Sequence, residues 1–123
     1  MKKVLIAEDD RFLASAYRVK LQKSGFEVLV VNDGQEAIEA VITFKPDLVL
    51  LDLVMPVKDG FSALEEIRKT SSPQQLPIVI ASNLGQKEDV DRGYSLGATD
   101  FLVKSDMVPD DLVNKIKSIL KIK

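Results

Sequence analysis

Neither cysteine nor histidine occurs among the 123 residues. The first absence excludes disulfide scaffolds, thiolate metal sites and thiol nucleophiles. The second excludes serine–histidine triads, histidine-ligated zinc and any histidine phosphocarrier. Chemistry here must run on carboxylates, hydroxyls, amines and amides. Long apolar runs are missing as well. After Met1-Lys2-Lys3 only Val4 to Ala7 are apolar before Glu8, Asp9 and Asp10, and Asp52 interrupts the longest stretch, Leu48 to Val57. A secretory signal needs a longer apolar core, and a membrane span needs about 20 apolar residues. A cytoplasmic chain without membrane insertion is expected. Charge of one sign is also scarce: 17 basic against 19 acidic residues leave a net −2. That argues against direct nucleic-acid binding through a general electrostatic grip. With 46% hydrophobic and 29% charged residues, the chain has the size and composition of one folded domain. We expect a single domain over residues 1–123.

Five short apolar runs stand out: Val4–Ala7, Phe26–Val31, Leu48–Val54, Ile78–Ala81 and Phe101–Val103. Most are nearly continuous in Val, Ile and Leu rather than alternating, the pattern of strands covered on both faces of a parallel sheet. Between them lie stretches with helical spacing. Residues 10–24 place Leu13, Ala16 and Lys20, with Phe12 and Val19, on related faces, and Gly25 follows as a stop. Residues 35–44 carry Ala37, Ile38, Val41 and Ile42 after an Asn32-Asp33-Gly34 turn, and residues 60–69 carry Phe61, Leu64 and Ile67. The segment 86–96 is weaker, since Gly93 sits inside it and costs about 1 kcal/mol relative to alanine. The last segment opens with Pro109 and repeats Leu112, Val113, Ile116 and Leu120. Strand and helix alternate five times, which predicts a doubly wound α/β domain.

In open α/β sheets, functional groups gather beyond the carboxyl ends of the strands. Glu8-Asp9-Asp10 follows the first run, Asn32-Asp33 the second, Ser82-Asn83 the fourth and Lys104-Ser105 the fifth, while Asp52 lies near the end of the third. Three carboxylates, a hydroxyl and an amine would converge on one edge. A carboxylate inside Leu48-Val49-Leu50-Leu51-Asp52-Leu53-Val54-Met55 is costly to desolvate unless a cation or a donor meets it. A cluster of acids suits a hard divalent cation such as magnesium.

These residues resemble the receiver domain of two-component response regulators, in its stand-alone, chemotaxis-type form. The resemblance covers essentially the whole chain. It rests on Glu8-Asp9, on Asp52-Leu53-Val54-Met55-Pro56-Val57-Lys58-Asp59-Gly60, on Ser82, and on Gly97-Ala98, Phe101 and Lys104. It implies a flavodoxin-like fold of five parallel strands in the order 2-1-3-4-5. It implies that Asp52 accepts a phosphoryl group from a sensor histidine kinase or a histidine phosphotransfer protein. Asp9 and Asp52, joined by the Val54 backbone carbonyl, would hold Mg2+ or Mn2+, with Glu8 acting largely through water. Lys104 would pair with Asp52 and then with a phosphoryl oxygen. Ser82 and Phe101 would act as the switch, biasing a surface made of the fourth helix, fifth strand and fifth helix, roughly residues 86–122, toward a downstream protein target. The chain would be a phosphoacceptor signalling protein rather than an enzyme, with no output domain.

Two departures from the family pattern, and one pair of apolar residues, carry expectations. Asn83 stands where a small residue is usual, so it could narrow access to Asp52 or add a donor. Ser105 stands where proline is usual, which puts the family's cis peptide after the lysine in doubt. Val54 and Leu84 flank the route of the hydrolytic water, and neither can orient it, so slow self-dephosphorylation is expected. Each residue also has a plainer reading. Asp10 suits a helix cap, Asp52 a buried acid paired with Lys104, Ser82 a strand end and Phe101 the core. The run Lys87-Glu88-Asp89 with Asp91-Arg92 suits a solvated helix face. As an alternative function, a pseudo-receiver would keep the fold and signal by binding alone. An aspartate-nucleophile phosphatase would need an acid two residues after Asp52, where Val54 stands. A flavin site lacks its hydroxyl- and glycine-rich phosphate loop after the first run.

Overall fold

A computed structural model describes residues 1–106 and 108–122. Met107, within the expected switch surface, and Lys123 at the terminus lie outside the described residues. The elements alternate as expected: β1 (Lys3–Ala7), α1 (Arg11–Lys23), β2 (Glu27–Val31), α2 (Gly34–Phe44), β3 (Leu48–Leu51), α3 (Gly60–Arg68), β4 (Ile78–Ser82), α4 (Lys87–Ser95), β5 (Asp100–Val103) and α5 (Pro109–Leu120). All four strand pairings are parallel, in the order β2-β1-β3-β4-β5. The fold is a five-stranded, flavodoxin-like doubly wound sheet.

Alternation within the three inner strands builds two cores. Leu5 and Ala7, Val49 and Leu51, and Ile78 and Ile80 face a layer made by Ala37, Phe61, Leu64 and Ile67 of α2 and α3. Val4 and Ile6, Leu48 and Leu50, and Val79 and Ala81 face Tyr17, Leu21, Leu112 and Ile116 of α1 and α5. Residues of β1, β3 and β4 must satisfy both layers, so they read as unbroken apolar runs. The edge strands differ. No residue of β2 or β5 is fully buried, because each edge strand has a neighbour on one side only.

The caps sit where residue chemistry places them. Asp10 accepts from the Leu13 amide at 3.1 Å and Asp33 from the Glu36 amide at 2.8 Å, each meeting a first-turn donor that has no partner within its helix. Gly25, with φ of +95°, follows α1 as the expected stop. Pro109 occupies the first turn of α5. Lys87 and Asp91 form an i,i+4 pair at 3.1 Å on the exposed face of α4.

Several expectations need correction. β3 ends at Leu51 rather than Val54, so Asp52 lies just past the ladder. α1 buries Ala14, Tyr17 and Leu21, whereas Phe12 is 92% exposed. Apolar residues lie on more than one side of this helix, and the sheet selects the 14/17/21 stripe. In α2 the buried residues are Gly34, Ala37 and Ala40, and Ile42 is exposed; small side chains let this helix approach closely. Gly93 has a packing reason as well. A Cβ there would lie 2.8 Å from Ile80 Cδ1 and 3.1 Å from Phe101 Cδ2, so the glycine lets α4 rest on the sheet.

The α1 stripe can be tested directly. Leu21→Ala should lower unfolding free energy by about 3 kcal/mol, while Phe12→Ala should change it by less than about 0.5 kcal/mol. Urea midpoints at unchanged m-values would measure both, and comparable losses would contradict this packing.

Candidate functional site

Sheet register assembles the site. Ala7 pairs with Val31 on one side and with Leu51 on the other, so Glu8 and Asp52 are both the first residue beyond a paired strand end. The main chain continues the match for one step, since the Glu8 amide donates to Val31 O at 3.0 Å and the Asp52 amide to Ala7 O at 3.0 Å. At the other side Ser82 pairs with Val103, and Lys104 follows directly. Residues 96 positions apart in sequence, Glu8 and Lys104, are thus brought to one edge by hydrogen-bond geometry alone.

The centre is an ion cluster. Lys104 Nζ donates to Glu8 Oε1 and lies 3.2 Å from Asp52 Oδ2. Glu8 is 3% exposed and Asp52 6%. Two carboxylates removed from water are tolerable only with such a partner. Asp52 also accepts from the Leu53 amide at 2.8 Å through Oδ1, and Glu8 from the Asp10 amide at 3.1 Å through Oε2. Burial pushes the Glu8 carboxyl up to about 7, with the Asp52 charge adding to the rise and the Lys104 and Asp10 donors opposing it. Burial works to lower the Lys104 ammonium. The hydrogen bond to Glu8 and the charges of Asp52 and Glu8 outweigh it, so its pKa ends above the ordinary lysine value. The expectation paired Lys104 with Asp52; the structure pairs it with Glu8 as well.

A carboxylate oxygen from each of Glu8, Asp9 and Asp52 lies within 4.8 Å of the others, and Asp9 is exposed while the other two are buried. Three hard oxygen donors, one of them open to solvent, are a donor set suited to a magnesium-type cation. Asp33 is not part of this group, being occupied as the cap of α2. Val54, whose carbonyl the resemblance adds to the ligands, is 63% exposed.

The other expected residues take up flanking positions. Ser82 is 1% exposed, and its Oγ accepts from the Leu84 amide at 3.2 Å. Asn83 is exposed. Phe101 is half-buried, pairs with Ile80 and packs on the α2–α3 core beneath Gly93. Among the described residues every peptide bond is trans, Lys104–Ser105 included. With serine in place of proline, trans is the form the amide prefers.

Tyr17 was not foreseen. It is 4% exposed, and burial raises its hydroxyl pKa, with the charges of Lys104, Glu8, Asp52 and Asp10 all acting on it. It packs in the core shared by α1 and α5, within reach of those charges. The 14/17/21 spacing was its only trace in the sequence, and that spacing competes with others in α1.

Comparison with known proteins matches the chain to a family model. Residues 4–117 match the model of the response regulator receiver domain. The transcriptional regulatory protein CpxR of Klebsiella pneumoniae is 39% identical over 121 residues, covering 98% of this chain and 50% of the relative. The alkaline phosphatase synthesis transcriptional regulatory protein PhoP of Bacillus subtilis is 30% identical over 120 residues, covering 98% and 49%. The chain spans about half the length of these curated relatives. Among solved structures, the receiver domain of the Francisella response regulator 1452 has a TM-score of 0.89 at 31% identity, covering 98% of each chain. The BeF3-activated N-terminal receiver domain of Klebsiella pneumoniae RstA has a TM-score of 0.89 at 30% identity, covering 97% of this chain and 98% of that one.

Removing the ammonium isolates the stabilising role of the cluster. Lys104→Met should destabilise the fold by about 3 kcal/mol in chelator, because two buried carboxylates lose their counter-charge. Urea denaturation measures this, and a loss below about 0.5 kcal/mol would show that the acids are held by other means.

Proposed function

The chain belongs to the response regulator receiver family, and from that premise we propose that it takes a phosphoryl group onto Asp52 from a phosphohistidine of a sensor histidine kinase or a histidine phosphotransfer protein, acting in the cytoplasm. The observation that carries the reading is the joining of Glu8 and Asp52 through Lys104 at the register-aligned sheet edge, with Asp9 beside them. The proposal concerns residues 1–123 and applies with or without segments joined to them.

Asp9, Asp52 and the Val54 carbonyl, with Glu8 through water, would hold Mg2+ or Mn2+. The bound cation would offset the negative charge of the acids and of the phosphoryl oxygens, which otherwise repel. An Asp52 carboxylate oxygen forms the new P–O bond as the donor's P–N bond breaks. The electron pair returns to the imidazole, which takes up a proton. Lys104 is already charged and held, partly buried, beside Asp52, so it can pass to a phosphoryl oxygen without being recruited from solvent. Ser82 Oγ, at the end of β4, supplies a hydroxyl for another oxygen once released from the Leu84 amide. Phe101 then answers by changing its packing under α4, and the surface of α4, β5 and α5 presents a different face to a protein target. In this reading the chain assists only its own phosphorylation and dephosphorylation.

Acetyl phosphate with magnesium should add one phosphoryl group, read by intact mass, and Asp52→Asn or chelation should abolish it. Magnesium binding without any adduct would point to a receiver that accepts only from its kinase. Loss of both would favour a pseudo-receiver that signals by binding. The adduct's lifetime is a separate test. Val54 and Leu84 are 63% and 37% exposed, so water reaches them, but neither offers it a polar group. Val54→Asn should shorten the half-life several-fold; equal half-lives would remove Val54 as the reason for slow decay.

A further inference from the structure

The loop between β3 and α3 carries Asp52 at one end and, on the reading above, the metal-binding carbonyl of Val54. Its own residues do not explain its shape. Val57 has φ of +68°, a conformation that a β-branched side chain resists, and the Lys58 amide donates to Pro56 O at 2.7 Å across it. A tight three-residue turn of this kind is strained. Something outside the turn must hold it.

Two glycines do so. The Gly34 amide is a first-turn donor of α2 with no acceptor in its own helix, and it donates to Lys58 O at 2.9 Å. The approach is so close that a Cβ on Gly34 would lie 2.2 Å from Lys58 O, 2.9 Å from Lys58 C and 3.0 Å from Asp59 O. All three are backbone atoms, so no rotamer change could make room. Gly60 grips the other end. Its amide donates to Leu53 O at 2.9 Å, and a Cβ there would lie 2.1 Å from Asp52 O and 2.8 Å from Leu53 Cα. Gly60 belongs to the loop's own chain segment, whereas Gly34 reaches it from another helix.

We propose that Gly34 is a positioning residue for the phosphoacceptor site, its amide and its missing side chain fixing where the β3–α3 loop, and with it the Val54 carbonyl, stands relative to Asp9 and Asp52. Resting on the receiver reading, this adds a residue that touches none of the reacting groups. A side chain at position 34 pushes the loop through Lys58 O and pulls the carbonyl away from the acids. The effect falls on metal affinity first.

Calorimetric titration with MgCl2 alone tests this on wild type, Gly34→Ala and Gly97→Ala. Gly97 is the control, since its φ of +103° and its contact with Arg68 make alanine destabilising there, at the sheet edge away from Asp52. Both variants should melt at lower temperature in chelator. Gly34→Ala should bind Mg2+ at least tenfold more weakly, and Gly97→Ala within about twofold of wild type. The acetyl phosphate adduct of Gly34→Ala should form at close to the wild-type rate at saturating Mg2+. Equal Mg2+ affinity in Gly34→Ala and wild type would overturn the proposal, as would equal weakening in both variants.

Amide exchange on the wild type covers the case in which Gly34→Ala does not fold. Coupling is reciprocal, so Mg2+ should slow exchange of the Gly34 amide more than that of the α4 amides. No difference between them would overturn the proposal. A wild type that binds no Mg2+ would sink the receiver reading and this proposal together. A wild type that binds and is phosphorylated, with an unaltered Gly34→Ala, would sink this one alone.

Discussion

Everything at the sheet edge depends on one ammonium held between two buried carboxylates. Lys104 meets Glu8 and Asp52 where water is largely excluded. Three elements that are not neighbours in sequence, the ends of β1, β3 and β5, are tied by that contact. The arrangement would be expensive in a rigid apolar setting. It is tolerable here because amides of Asp10 and Leu53 also point at the acids. The charge that remains has a chemical meaning: three acids, Glu8, Asp9 and Asp52, against one lysine leave −3 + 1 = −2 when all are ionised. A divalent cation would match that residue of charge, and under the proposed function it would offset the negative oxygens that a phosphoryl group brings with it.

The fold supplies the edge through register rather than through side-chain recognition. Glu8 and Asp52 each sit one residue beyond a paired position, and a slip of one residue would turn both to the wrong face. The two-sided burial of β1, β3 and β4 prevents such a slip, because the alternate residues of those strands are committed to opposite cores. Core packing and site geometry are therefore one constraint. The helices contribute differently. α1 packs Tyr17 into the core within reach of the acids' charge, α2 places Gly34 against the loop after β3, and α4 rests on Ile80 and Phe101 through Gly93.

Much of this was legible in the residues. The three inner strands announced themselves as unbroken Val, Ile and Leu runs, because both faces are covered. Glu8, Asp52, Ser82 and Lys104 stood out because polar groups follow those runs directly. Other parts were hidden for physical reasons. The buried stripe of α1 could not be chosen from periodicity, since Phe12 and Val19 compete with Ala14, Tyr17 and Leu21, and only the sheet decides. The ends of β3 were blurred because Leu53 stays buried after the ladder stops. Lys104 reaching Glu8 as well as Asp52 depends on side-chain reach across the edge. Gly34 read as a turn residue, because a close approach between backbones leaves no mark beyond the glycine itself.

Ser105 and Asn83 show how a site can depart from its family's pattern without losing its centre. Serine at 105 removes the reason for a cis bond, and the chain runs trans into a short 3-10 turn over Lys104–Asp106. Lys104 still reaches both acids, so its placement comes from the end of β5, where Val103 pairs with Ser82, and not from the peptide that follows it. Asn83 is exposed and leaves the Ser82 hydroxyl engaged with the Leu84 amide. Asn83 stands one residue beyond the paired end of β4 and Ser105 two beyond that of β5, and neither displaces the contacts of Lys104 with the acids. Strand pairing sets where the acids and the ammonium stand, and the side chains at 83 and 105 leave that placement intact.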